Sequence, residues 1–380
     1  MTKSADKKPS AKKITPQPGT AAAGAPAERK VRIVSLFSGA GGLEIAACRT
    51  DLVEAIASTD SNATFLSTVE RNMPTHFPEV RHAAIVADAK ELKGQIMRDL
   101  LGAAPDIVMG GPPCDDYTQF GKRRGIAGDK GPLIFQFLRL VDELSPTCFV
   151  FENVPNLARQ FKDVFQSFLK QTQEIGYYLK WSILKACDYG SPTLRSRVLV
   201  VGWKDPQDSC RFQFPSPKYG DPIESSLLAH SGNLLKPYVY VRDVLDGLPD
   251  TCDPSSGFVL NHTGRPHRPE TIEHLKTVPQ GKNIRRSYRY RAPWEGLSQS
   301  LTAGVDYATK SYIHPLYHRE MTVREYARLH SFADTWEFIG THHNGVKQVA
   351  NSVPIPLGEA VLTAVIRNIL AQNASPVKPK

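Results

Sequence analysis

Residues Val31–Ala46, VRIVSLFSGAGGLEIA, carry a β-type run into a glycine turn and out into a helical pattern. Gly39, Gly41 and Gly42 let a ligand approach the main chain, and a helix opening there points its free N–H groups at it. Alone, the stretch fits a plain strand–helix turn equally well. Its neighbours add to it. The next β-type run, Val53–Asp60, ends in a carboxylate about twenty residues beyond the glycines, where α/β cofactor domains place an acid on ribose hydroxyls. The third, Ala83–Ala87, is followed by Asp88. A glycine turn and two acids at three successive strand ends point to an adenosine-containing ligand at the C-terminal edge of a sheet. The spacing Gly39-x-Gly41-Gly42 is not the GxGxxG of dinucleotide sites, which shifts the reading to a single nucleoside such as S-adenosylmethionine.

Further β-type runs at Asp106–Met109, Cys148–Phe151, Tyr178–Lys185 and Arg197–Trp203 alternate with amphipathic stretches at Asn62–Arg71, Lys90–Leu101, Pro132–Leu144 and Ala158–Ile175. In Pro132–Leu144, the residues Leu133, Phe137, Leu140, Val141 and Leu144 mark one helical face. This alternation predicts an α/β fold, a largely parallel sheet covered by helices on both faces. After Trp203 it stops. Residues 204–317 are rich in Pro, Gly, His and Arg, and helical spacing returns only at TVREYARLHSF and LGEAVLTAVIRNILA, where Leu357, Val361, Val365 and Ile369 form a stripe. The expected organisation is an α/β domain over 31–203, a smaller inserted domain over 204–317, and a segment over 318–372 that returns to the first domain.

The formal charge of +9 is concentrated in the tails. Seven basic residues against Asp6 and Glu28 lie within 1–30, and Lys378 and Lys380 add to them at the other end. Basicity alone is therefore weak evidence for nucleic-acid binding. Residues 1–30, rich in Lys, Ala, Pro and Gly, lack the apolar surface needed to fold and read as a disordered basic tail, either solubilising or phosphate-binding; 373–380 form a second tail. The six cysteines are scattered with no CxxC pair, which argues against a disulfide framework or structural zinc and fits a reducing, cytoplasmic setting. No apolar run approaches the ~20 residues that span a bilayer, so no membrane partner is expected.

Chemistry collects at the remaining strand ends. The fourth strand runs into MGGPPC, residues 109–114, where Pro112 and Pro113 stiffen the chain and hold Cys114 above the same sheet edge. By itself a structural cysteine in a proline-rich turn explains this better. A loop with Lys122, Arg123, Arg124, Lys130 and four glycines follows, readable as a lid over a phosphate-bearing substrate or as a solvated surface loop. The fifth strand ends in FVFENVP, which puts Glu152 after apolar neighbours that should raise its pKa; an N-cap role is the alternative. Arg195 and Arg197 open the seventh strand on one face, where surface salt bridging is the plainer explanation.

In this order the chain resembles the DNA (cytosine-5) methyltransferases of bacterial and phage modification systems. The matching runs are LFSGAGG, GGPPC, FENV, the Arg195-x-Arg197 strand, MTVREYARLHSF and QVANSVPIPLGEAV, from about Arg32 to Leu370. The resemblance implies a class I methyltransferase domain with a Rossmann-like sheet, and transfer of a methyl group from S-adenosylmethionine to carbon 5 of a cytosine flipped out of double-stranded DNA. It implies Cys114 as the nucleophile on carbon 6, Glu152 at ring nitrogen 3, and Arg197 with Arg195 holding the base. For the cofactor it implies Phe37 against adenine, Gly39, Gly41 and Gly42 on the methionine side, Asp60 on the ribose, Asp88 on the adenine amino group, and Asn351, Ser352 and Val353 completing the pocket. No metal is implied. Residues 204–317 resemble the target recognition region, and their run Asn283–Arg291, NIRRSYRYR, reads as phosphate and base contacts or as a solvated charged loop. A monomer is expected, with any cognate restriction endonuclease acting separately.

The chain also departs from that family. Ser35 stands where Asp often precedes LFxGxGG, Ser61 where a large apolar residue usually packs on adenine, and Thr193 where Gln is usual before the Arg pair. After Cys114, the run DDYTQFGK differs from Gln-x-Phe-Ser but keeps an aromatic and a hydroxyl at Tyr117 and Thr118. Three other readings remain: a transfer-RNA methyltransferase of the same fold, a non-catalytic nucleic-acid-binding relic, and a nicotinamide dehydrogenase. The first predicts a Cys-Phe-Thr tripeptide, which the chain lacks. The second predicts loss of Cys114 or Glu152, and both are present; the third predicts GxGxxG.

Overall fold

In the computed structural model the described residues are 29–113, 132–221, 235–251, 258–283, 289–301 and 312–371. Cys114, its following loop, Arg285, Arg286 and both expected tails up to residue 28 and from 372 lie outside them.

Seven strands form the central sheet: β1 Val31–Leu36, β2 Val53–Asp60, β3 Arg81–Val86, β4 Ile107–Gly110, β5 Cys148–Asn153, β6 Tyr178–Lys185 and β7 Ser196–Trp203. Their order is β3-β2-β1-β4-β5-β7-β6. Pairings among β1 to β5 are parallel, while β7 runs antiparallel to both β5 and β6. The order reverses between β1 and β4, and such a switch point opens a crevice at the C-terminal strand edge. Both sheet faces are covered, which explains the near-continuous apolar strands. Ile33, Ile56, Met109 and Val150 enter one core; Val34, Ala57, Val108 and Phe151 enter the other.

Helix α1, Gly42–Cys48, packs against the C-terminal helix Ile355–Ala371, whose residues Leu357, Val361, Val365 and Ile369 are buried. Gly358 permits the approach, since a Cβ there would lie 2.9 Å from that of Ala46. This apolar helix is long because it crosses the core beside α1. Helix α2, Ala63–His76, starts at Asn62, whose side chain accepts from the Phe65 N–H at 3.2 Å.

The described residues within 204–317 have little regular structure, yet Phe212, Val241, Leu245, Tyr290, Ala292 and Leu301 join the core that holds Ile33 of β1. Irregular main chain leaves carbonyls without ladder partners, and buried ones need donors. Three buried arginines supply them. Arg291, 3% exposed, donates to the carbonyls of Val278 (2.7 Å), His314 (2.6 Å), Tyr317 (3.0 Å) and Leu275 (2.7 Å). Arg324 donates to Leu260 (3.0 Å), Ala333 (2.7 Å) and Trp336 (2.6 Å). Arg195 donates to Leu301 (2.7 Å) and Ala350 (2.6 Å). The planar guanidinium, with five fixed donors, suits this work.

For the end of NIRRSYRYR, read as phosphate and base contacts or as a solvated charged loop, the structure gives neither; residues 284–288 lie outside the described residues. Tyr290 and Arg291 are buried inside the protein, and Arg289 points an Nη at Glu320 at 3.6 Å.

Candidate active site

One cavity of about 430 Å³ opens at the C-terminal strand edge, lined by the ends of β1, β2 and β5, by the residues that follow β3 and β4, and by the C-terminal segment. The glycine turn bounds it at β1. Phe37 adopts φ 58°, followed by Gly39 at φ 56° and Gly41 at φ 85°. A left-handed Phe is strained, at a cost of order 1–2 kcal/mol, and persists because its surroundings hold it. Here the conformation keeps a half-buried ring on the cavity wall. Asp60 fixes the turn: its Oδ2 accepts from the Gly39 N–H at 2.9 Å and its Oδ1 from the Asn62 N–H at 2.8 Å. Asp88 lines the cavity beyond β3 and accepts from the Lys90 N–H at 2.9 Å. Gly42 meets the C-terminal segment, where a Cβ would come within 2.9 Å of the Val353 carbonyl oxygen and 3.2 Å of the Ser352 Cβ. Asn351, Ser352 and Val353 complete this wall.

At the other end Glu152 and Arg197 form an ion pair, Oε1 to Nε 2.5 Å, with both side chains 9% exposed. Burial raises the Glu152 pKa, and the guanidinium groups of Arg197 and Arg195 pull it only partly back. The carboxyl therefore takes a proton more readily than an exposed glutamate, while a fixed cation stands beside it. Arg195 lines the same cavity, but its donors tie Leu301 to Ala350, so its geometry is that of a clamp. Pro112 and Pro113, the residues before Cys114, line the cavity too, and the Pro112 carbonyl accepts from the Asn153 side chain at 3.1 Å.

Three residues escaped the sequence reading. Gly111 stands against Glu152, and Lys347 reaches the cavity from the helix His342–Asn351, one turn before Asn351. Glu44 is fully buried in the first turn of α1, among Ser35, Ser38 and Ser58, and burial raises its pKa. A carboxyl on α1 therefore sits beside Ser35, the strand position where Asp is usual. The spacing of Lys347 four residues before Asn351 was the available signal for that residue.

The sheet order, with a ligand cavity at its switch point, defines a class I methyltransferase fold. A structure of an E. coli protein assigned as a prophage-encoded DNA modification methyltransferase superposes with TM-score 0.69 at 23% identity, covering 90% of this chain and 99% of that one. An Entamoeba histolytica methyltransferase, EhMeth, shares the fold at TM-score 0.58 and 17% identity, covering 92% of this chain and 100% of that one. The family model for C-5 cytosine-specific DNA methylases matches residues 31–367, and the chain belongs to that family. It is a DNA cytosine methyltransferase. Among its relatives, the type II methyltransferase M.AquIA of Picosynechococcus sp. is 32% identical over 237 residues, 59% of this chain and 92% of that protein. The type II methyltransferase M.NgoFVII of Neisseria gonorrhoeae is 28% identical over 364 residues, 90% of this chain and 88% of that protein.

Proposed function

We propose that the protein methylates carbon 5 of cytosine within a specific sequence of double-stranded DNA, using S-adenosylmethionine, as the modification partner of a type II restriction system in a bacterial cytosol. The observation that carries this reading is the buried Glu152–Arg197 pair, in one cavity with the glycine turn, Asp60 and Asp88.

The residues present fit that cofactor. Asp60 and Asp88 offer acceptors to ribose hydroxyls and an adenine amino group, Phe37 offers a ring face, and bare Gly42 leaves room beside Ser352 and Val353. When bound, S-adenosylmethionine supplies a methyl group on a positively charged sulfur. The protein must make carbon 5 nucleophilic. Cys114 is assigned to bond carbon 6 through its thiolate, moving the ring's electron pair onto carbon 5. Glu152, whose pKa burial raises, donates a proton to ring nitrogen 3, and Arg197 fixes that carboxyl and the developing charge. Carbon 5 takes the methyl group, leaving S-adenosylhomocysteine; loss of the carbon 5 proton to solvent then breaks the bond from Cys114 Sγ to carbon 6, which restores the ring and the thiolate. A stacked base cannot reach this cavity, so the cytosine leaves the duplex first. Residues 204–317 then choose the sequence from the major groove, with the enzyme acting as a monomer and the nuclease apart.

The test is Cys114→Ser, because a hydroxyl is a poor nucleophile at neutral pH. Tritiated-methyl incorporation into DNA should vanish, and bisulfite sequencing of plasmid from cells expressing the wild type should reveal one methylated motif. Near-wild-type incorporation by the serine variant would refute the covalent step.

A further inference from the structure

The geometry points to Lys347 as the counter-ion of the methionine carboxylate of S-adenosylmethionine, an inference that rests on reading the cavity as that cofactor's site. Among the described residues, four basic side chains line the cavity: Lys90, Arg195, Arg197 and Lys347. Three are committed or misplaced for this task. Lys90 is exposed and follows Asp88, beyond β3 at the outer edge of the sheet, the end read as adenine's. Arg195 spends its Nη groups on the carbonyls of Leu301 and Ala350. Arg197 is held by Glu152. Lys347 is half-buried and has no ion-pair partner among the described residues.

Its position is also suitable. Lys347 and Asn351 stand one turn apart on the same face of the helix His342–Asn351. That helix ends at Ser352, and Ser352 and Val353 abut Gly42 at the glycine turn. The amino-acid end of the cofactor would lie along that turn, between β1 and the C-terminal segment. A carboxylate there lies near Asp60, which borders the same space, and a cation beside it offsets that repulsion. Lys347 supplies it on a flexible stem.

The experiment is calorimetry without DNA, using S-adenosylhomocysteine, which carries the carboxylate, and 5′-methylthioadenosine, which lacks it. Lys347→Met should weaken S-adenosylhomocysteine about tenfold, the size of one lost charge-assisted contact, while leaving methylthioadenosine unchanged. Lys347→Arg should restore most of the loss, and thermal unfolding of the unliganded variants should match the wild type. Equal weakening of both ligands, or of neither, overturns the assignment. Weakened DNA binding with both nucleosides unaffected would place Lys347 on a phosphate instead and also overturns it. Failure of the wild type to bind either nucleoside would refute the cofactor reading itself.

Discussion

The space a Cβ would fill on Gly111 is occupied by the carboxyl of Glu152, whose Oε2 lies 2.6 Å from that point. Glycine is required there for room, since its backbone is not in the left-handed region. Gly111→Ala should push the Glu152 carboxyl off Arg197 while the main chain stays in place, because the colliding atom ends a side chain. We expect methyl transfer to fall by about 10²-fold or more, the scale of a lost proton donor. Calorimetry should find S-adenosylhomocysteine binding nearly unchanged. Wild-type turnover by the alanine variant would remove Glu152 from the chemistry.

Arg195 and Arg197 lie two residues apart but should fail in different ways. Arg195→Met strips donors from two buried carbonyls, at roughly 1–3 kcal/mol each, and should lower the unfolding midpoint strongly. Arg197→Met leaves those bonds intact and should chiefly lower kcat. Urea melts and single-turnover methylation separate the two. Equal loss of stability in both variants would contradict the division.

Arg291→Ala should destabilise the protein rather than release DNA. A phosphate contact, once removed, lowers the salt dependence of binding by about one ion. Arg291 is committed to internal carbonyls, so DNA titrations on the folded fraction should keep the wild-type slope. A reduced slope with unchanged stability would return Arg291 to the DNA interface.

Acid should unfold the protein partly through His314. Its Nδ1 accepts from the N–H groups of Leu316 (3.2 Å) and Tyr317 (3.1 Å), so the ring is neutral with its proton on Nε2, facing Glu325. Burial lowers its pKa from 6.5 to about 4, although Glu325 pulls the other way. The unfolded chain therefore binds the proton first. The contribution is complete above pH 6.5 and is lost as pH falls toward 4. His314→Gln should flatten the fall in melting temperature across that window, and an unchanged slope would refute it.

Local chemistry made the α/β body legible in the sequence. The β2 and β6 boundaries, Val53–Asp60 and Tyr178–Lys185, follow directly from β-type runs bounded by polar turns. The glycine turn, the acids at the end of β2 and just beyond β3 and the Glu near the end of β5 could be placed at one sheet edge because parallel strands all end there. Residues 204–317 were not legible in this way. They lack periodicity, and their order comes in part from arginines that satisfy carbonyls up to 106 positions away, as Arg195 does for Leu301. A charged side chain in a sequence reads the same whether it faces water or is buried. The tertiary structure alone decided that Arg291 and Arg195 hold the protein together, that Gly111 makes room for Glu152, and that Lys347 reaches the cavity. Each depends on which distant main-chain atoms meet a side chain, and burial then fixes whether its charge serves folding or chemistry.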